Sequence, residues 1–172
     1  LTKLGIEKVP PMVTRGVLFD MTKVLDVEFL KAGQTFSVKD LQSAEKIQGV
    51  KVQKGDVVLF HTGWTDAMLE KFPEKWGAEI PGLTPELAQH LANLEVIAVG
   101  SDTYGLDVIP PVNPEEPFQG HVILLQENGI YILEAMNTGP LAKDETFEFL
   151  FVLGQAKVRG AVQMYINPIA IK

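Results

Sequence analysis

The 172-residue sequence contains no cysteine. A disulfide framework, a thiolate nucleophile and a sulfur-rich zinc site are therefore excluded, and any bound metal must be held by imidazole, carboxylate or backbone oxygen. The chain also lacks a surplus of positive charge: 15 Lys and Arg against 22 Asp and Glu leave a formal charge of -7. The basic residues are scattered, so a nucleic-acid partner, which needs a clustered basic face to neutralise phosphates, is not expected. Long apolar runs are missing too. A membrane span needs roughly 20 such residues, and even the rich stretch Val122 to Leu125 is cut off by polar neighbours. The opening Leu1 to Pro11 does not have the basic start and long apolar core of a signal peptide, so the expectation is a soluble, cytoplasmic protein with no membrane partner. No glycine-rich phosphate loop follows a strand and no Gly-x-Ser-x-Gly elbow is present, which removes nucleotide binding and serine hydrolysis from the candidate activities.

What is present is a hydrophobic content of 46%, enough for one compact domain with a sizeable core, and the whole of 1–172 is expected to form it. The chain starts at Leu1 and not Met, which suggests an incomplete or processed chain. Pro10 and Pro11 favour extended geometry, so residues 1–12 read as an exposed arm. The segment from Arg15 to Thr22, the run Val57 to Phe60 and the run Val96 to Gly100 have the apolar continuity of strands buried on both faces. Ser37 with Asp40 three residues on predicts a capped helix ended by Gly49. Thr65 to Phe72 predicts a short helix before Pro73. Thr84 with Pro85 and Glu86 opens a helix that carries Leu87, Leu91 and Leu94 on one face. Helix followed by buried strand points to an α/β layer arrangement. The four prolines of Pro110 to Gly120 predict an irregular loop. The pair Asn128-Gly129 between Val122–Leu125 and Ile130–Leu133 predicts a β-hairpin. Phe147 to Leu153 and Lys157 to Ile166 read as two further strands.

Three sets of residues could carry chemistry. An antiparallel hairpin turning near residues 126–129 would bring His121 and Glu134 together across neighbouring strands, where imidazole nitrogen and carboxylate oxygen could share a divalent cation. On spacing alone an ordinary polar pair accounts for them better than a metal site does. Asp102 and Asp107 bracket a glycine turn just after a buried strand; they suit either a functional edge or the capping of a loop. His61 leaves a buried strand and could be a base, a ligand or a structural group, and His90 should face solvent on its helix. The remaining carboxylates are dispersed, as on solvated faces.

The ordered series Thr14 to Asp20 (TRGVLFD), Gly55 to Trp64 (GDVVLFHTGW), Pro81 to Leu83 (PGL) and Gly100 to Thr103 (GSDT) resembles the cyclase family. That family includes bacterial kynurenine formamidases and isatin hydrolases. The likeness continues through His121 to Leu125 (HVILL), Glu134 to Asn137 (EAMN), Phe149 to Val152 and the ending Val158 to Ala170. The resemblance implies an α/β fold of swivelling β/β/α type, with a mixed, largely antiparallel sheet or barrel and a few short helices. It implies a homodimer or homotetramer and metal-dependent hydrolysis of an amide, lactam or related bond in a small-molecule substrate. Zinc or manganese is the implied metal, and His121 and Glu134 match the family's later ligand positions. The family's His-x-Gly-Thr-His-x-Asp motif, which supplies most ligands, is absent here, and the chain resembles the C-terminal two-thirds of a member. The alternative is a non-catalytic member that keeps the fold as a structural or small-molecule-binding protein.

Overall fold

The computed structural model describes residues 4–172. Residues 1–3 of the expected arm lie outside the described residues; Ile6–Lys8 forms a 3-10 turn, and the extended chain reaches the first strand at Met12. The main sheet contains β1 (Met12–Asp20), β3 (Val57–His61), β5 (Ala98–Ser101), β6 (Tyr131–Leu133), β7 (Glu148–Leu153) and β8 (Ile169–Ile171), in the order β6-β5-β3-β1-β7-β8. A separate two-stranded sheet pairs β2 (Thr35–Phe36) with β4 (Gly82–Leu83) in parallel. The helices are α1 (Met21–Leu25), α2 (Val38–Gln48), α3 (Trp64–Met68), α4 (Pro73–Trp76), α5 (Pro85–Asn93), α6 (Gln119–His121) and α7 (Gly139–Lys143).

The α/β class and the mixed sheet agree with the sequence reading, but the balance of strand directions differs. The pairs β1/β3, β3/β5 and β5/β6 are parallel, and only β1/β7 and β7/β8 are antiparallel. The expectation of a largely antiparallel sheet or barrel is therefore corrected to an open, majority-parallel sheet edged by β6 and β8. The reason is visible in the strands. Val57 to His61 and Ala98 to Ser101 are buried at every position, because helices cover one face and on the other their side chains cluster with Ala142 of α7 and the neighbouring side chains of β7. Val17, Phe19, Val58, Phe60 and Val99 meet α2 and α5 on one side. Leu18, Val57, Leu59, Ala98 and Leu133 join Phe149, Phe151 and Ala142 on the other.

The helix caps follow the sequence closely. Asp40 accepts hydrogen bonds from the backbone N–H and hydroxyl of Ser37 at 2.8 and 2.7 Å, and Thr84 Oγ1 accepts from Leu87 N at 3.3 Å. Asp20 ends β1 and caps α1 through Thr22 N at 3.0 Å. Each such cap satisfies amide donors that the first turn leaves unpaired.

Two local expectations also fail. The hairpin does not form: Val122–Glu127 continues α6 as a π-helical stretch, and β6 then runs parallel to β5. A four-residue apolar run fits a buried helix as well as a strand, and here Leu124 is buried in the core cluster that also contains Leu87 and Leu91 of α5. Asn128-Gly129 closes the helix. Gly129 has φ of +66°, its N–H reaches Leu125 O at 3.2 Å, and Ile130 N reaches Leu124 O at 2.8 Å. That left-handed glycine cap uses the same dipeptide that a hairpin turn would. The second failure is Lys157 to Ile166, which is irregular; the strand forms later, at Ile169–Ile171. Gly160 turns the chain with φ of +84°, and Val158 and Val162 stay exposed, so the alternating pattern never meets a sheet face.

Candidate functional site

The segment from β5 through α6 to β6 is a crossover between parallel strands. Helix and strand run in opposite directions in such a unit, so the start of α6 and the end of β6 share the carboxyl edge of the sheet. His121 lies in the first turn of the continuous helix that α6 and Val122–Glu127 form, and Glu134 follows that strand end. The hairpin that was expected to join them is absent, yet His121 Nε2 and Glu134 Oε1 are 3.3 Å apart.

Asp107 completes the group. Its carboxylate accepts from Gly120 N at 2.6 Å and His121 N at 3.0 Å, and its Oδ2 lies 2.6 Å from His121 Nδ1. The loop carrying Asp107 is itself held: Leu83 N donates to Leu106 O, and Ile80 and Ile109 exchange backbone hydrogen bonds. Asp107 is 6% exposed, whereas the side chains of His121 and Glu134 remain 32% and 29% exposed. Hydrogen bonds from His121 to Asp107, and next to Glu134, raise the imidazole pKa to about 9 against the opposing pull of burial. Two carboxylates thus favour the charged ring.

Both exposed groups open on a cavity of about 220 Å³ lined by Tyr104, Gly105, Asp107, Phe118 and Gln163 as well. It adjoins an open groove of about 760 Å³ that runs past Tyr131 to Leu153, Tyr165 and Ile166. Burial, and then the Glu134 charge, raise the Tyr104 pKa above its ordinary value. Its phenol therefore keeps its proton and can donate a hydrogen bond into the cavity. The Phe118 ring meets His121 edge-on, with centroids 6.1 Å apart. Tyr104, Phe118 and Gln163 were not singled out from the sequence. Tyr104 carried a signal, because it lies between the two aspartates, but Gln163 reaches the cavity only by the path of the irregular C-terminal segment.

The other candidate residues lie apart from this cavity. Asp102 is 2% exposed, and its Oδ1 accepts from Thr62 N at 2.7 Å and Thr62 Oγ1 at 2.8 Å, while its Oδ2 accepts from Thr65 N at 3.3 Å. Burial raises its pKa in spite of these donors. His61 is buried with Nδ1 2.8 Å from Thr138 Oγ1. Asp102 therefore takes the loop-capping role, and His61 sits within the same buried polar cluster. His90 is partly exposed on α5. Trp64 is core, and its indole donates to Trp76 O at 3.3 Å. Trp76 donates to Thr65 Oγ1 and packs against Tyr104 with centroids 5.8 Å apart. Neither tryptophan lines the two cavities.

His121 Nε2 and Glu134 Oε1 form a mixed nitrogen and oxygen pair at the cavity wall, donor types that a divalent cation accepts. Among the described residues, no group of three or more His, Asp or Glu is arranged to hold a metal ion. No described helix is long and apolar enough to cross a membrane.

A solved structure described as a novel cyclase superposes with a TM-score of 0.85 at 29% identity, over 99% of this chain and 57% of its own. An isatin hydrolase bound to the product analogue thioisatinate gives 0.72 at 18% identity, over 92% of this chain and 59% of its own. Isatin hydrolase A from Ralstonia solanacearum gives 0.73 at 19% identity, over 98% and 64%. The chain thus spans about three-fifths of the length of these proteins, and the two isatin hydrolases share its fold. No curated protein matches the sequence. The profile of the Cyclase family matches residues 2–108, more than half of the chain. That match shows that the chain belongs to the Cyclase family.

Proposed function

We propose that this chain forms part of a metal-dependent hydrolase that opens an amide, lactam or related bond in a small substrate, with His121 and Glu134 as two of the metal ligands. The observation that carries this reading is the 3.3 Å approach of His121 Nε2 to Glu134 Oε1 at a cavity wall. Solved structures of similar fold described as isatin hydrolases, and one described as a potential metal-dependent hydrolase with cyclase activity, support the reaction class. A bound divalent ion, zinc or manganese, would polarise the scissile carbonyl and acidify a water. The chain's own residues supply the setting. Imidazole and carboxylate offer one nitrogen and one oxygen donor, the Tyr104 phenol offers a hydrogen bond to a substrate oxygen, and Phe118 gives the cavity an apolar wall. Gln163 adds a neutral polar group that can pair with an amide.

The test is hydrolysis of an N-formyl arylamine and of an isatin-type lactam by the purified chain with added Mn²⁺ or Zn²⁺, beside His121→Ala and Glu134→Ala. Metal-stimulated hydrolysis that either substitution abolishes supports the reading. Metal-stimulated hydrolysis that survives both substitutions rejects it.

A second reading, a non-catalytic member that binds a small molecule, is favoured by the lack of a third metal-binding side chain in reach among the described residues. It predicts ligand retention in the 220 Å³ cavity that is indifferent to metal. Self-association into a dimer or tetramer is part of either reading. It is supported by the exposed apolar residues Val13 of β1, Leu150 of β7 and Ile169 and Ile171 of the edge strand β8, and light scattering of the purified chain tests it.

A further inference from the structure

Asp107 makes three contacts with a single short stretch of chain. It accepts the backbone N–H groups of Gly120 and His121, and its Oδ2 lies 2.6 Å from the Nδ1 of the same histidine. The two backbone bonds fix where α6 begins, and the third fixes the ring. Both ring nitrogens face a carboxylate, so the charged ring donates to both; when one proton leaves, the closer contact, 2.6 Å to Asp107 against 3.3 Å to Glu134, keeps the hydrogen on Nδ1. The lone pair is then on Nε2, the nitrogen that faces Glu134 Oε1 and the cavity.

The approach to Asp107 is tight. A Cβ on Gly120 would lie 2.6 Å from Asp107 Oδ1, closer than side-chain carbons come to anything. Glycine at 120 is therefore what lets the carboxylate reach both amides. On the opposite side, Glu134 is set by its neighbour. Ala135 has φ of +51°, an unusual conformation for a residue with a side chain, and its N–H donates to Thr103 O at 2.7 Å. The two halves of the pair are thus anchored to opposite ends of one loop, Thr103 to Asp107.

We infer that Asp107 is a positioning residue that fixes the His121 ring and its tautomer, so that Nε2 and Glu134 together present a metal-binding pair to the cavity. This inference rests on the metal-ligand reading of His121 and Glu134. Asp107 itself contributes no ligand atom, because both of its oxygens are turned to the start of α6.

The test uses Asp107→Asn. Its Oδ1 can still accept from Gly120 N, but the Nδ2 that replaces Oδ2 gives up the His121 N–H bond and donates to Nδ1, which moves the neutral ring's hydrogen to Nε2. Mn²⁺ binding is measured by water-proton relaxation enhancement on the intact chain, alongside ¹⁵N NMR of the metal-free ring at a pH where it is neutral. The wild type should show hydrogen on Nδ1. Asp107→Asn should show it on Nε2 and bind Mn²⁺ about 10- to 100-fold more weakly, the range typical for loss of such a supporting carboxylate. Gly120→Ala, which displaces the carboxylate without removing it, should weaken Mn²⁺ binding in the same direction.

His121→Ala and Glu134→Ala separate the two levels. If both lose Mn²⁺ binding while Asp107→Asn keeps wild-type affinity, the positioning role is overturned and the ligand reading stands. If both keep it, the ligand reading fails and the positioning role with it. Should Asp107→Asn not fold, the wild-type ¹⁵N spectrum decides: hydrogen on Nε2 of the neutral ring overturns the inference.

Discussion

The molecule holds two histidine and aspartate groups at the carboxyl edge of its parallel strands, and they differ in what they leave free. Around Asp102 both carboxylate oxygens are taken by donors from Thr62 and Thr65, and His61 is engaged by Thr138. Aspartate, histidine and Thr138 are all under 10% exposed. Around Asp107 the aspartate is equally saturated, but it spends its bonds on holding a histidine whose second nitrogen faces a glutamate and a cavity. Similar residue types therefore give opposite outcomes. A closed group stabilises the strand ends, and a group with one outward-facing member can meet a ligand. Burial of the aspartate does not separate the two; the direction of the histidine does.

The contrast can be broken in four ways. The largest effect is expected from Asp102→Ala, which leaves three donors of Thr62 and Thr65 without a partner in the interior. A loss of about 3 to 5 kcal/mol in urea unfolding is expected, with Mn²⁺ binding by the folded fraction unchanged; a loss below about 1 kcal/mol would mean that the cluster does not stabilise the strand ends. Next comes Gly120→Ala, where a methyl meets the Asp107 carboxylate. Overpacking should cost about 1 to 3 kcal/mol by the same measurement, and no cost would show that the start of α6 can shift freely.

The third is the pH dependence of the metal-free protein. The His121 pKa is raised from 6.5 to about 9 by Asp107 and Glu134. A raised pKa means that the folded state holds the proton more tightly, so this stabilisation is complete below about pH 6.5 and is lost as the pH rises through about 9. Because the ring is about a third exposed, the loss is discounted for solvent screening to about 1 to 2 kcal/mol. Denaturant midpoints of wild type and His121→Gln across that window should differ in slope, and parallel slopes would remove the charged ring from the account. The smallest effect is Thr138→Val, which deletes the hydroxyl facing His61 Nδ1. About 1 kcal/mol is expected, with no change in Mn²⁺ binding. A change in metal affinity here would mean that the closed and open groups are linked.

Much of this was legible in the residues themselves. The caps at Ser37 and Thr84, the buried runs at Val57 and Ala98, and the irregular stretch after Pro110 all depend on neighbours within a few positions, and they fold as read. The pairing of His121 with Glu134 was also anticipated, but through a hairpin that does not exist. The apolar run Val122 to Leu125 and the dipeptide Asn128-Gly129 carry the same local signal in a hairpin and at the end of a helix. Contact with the α5 side of the core selects the helix, and that choice is non-local.

The boundary between sequence and tertiary structure follows the same line. Composition excluded thiol chemistry, and local patterning determined the caps and the buried strands, because each depends on short-range geometry or on residue type alone. Tertiary structure decided that β6 runs parallel to β5, that Asp107 serves a histidine while Asp102 serves a turn, and that Tyr104 and Gln163 share a cavity. Those outcomes depend on which side chains meet after the sheet and helices have packed, and residues 13 to 59 positions apart in the chain have no short-range signal that joins them.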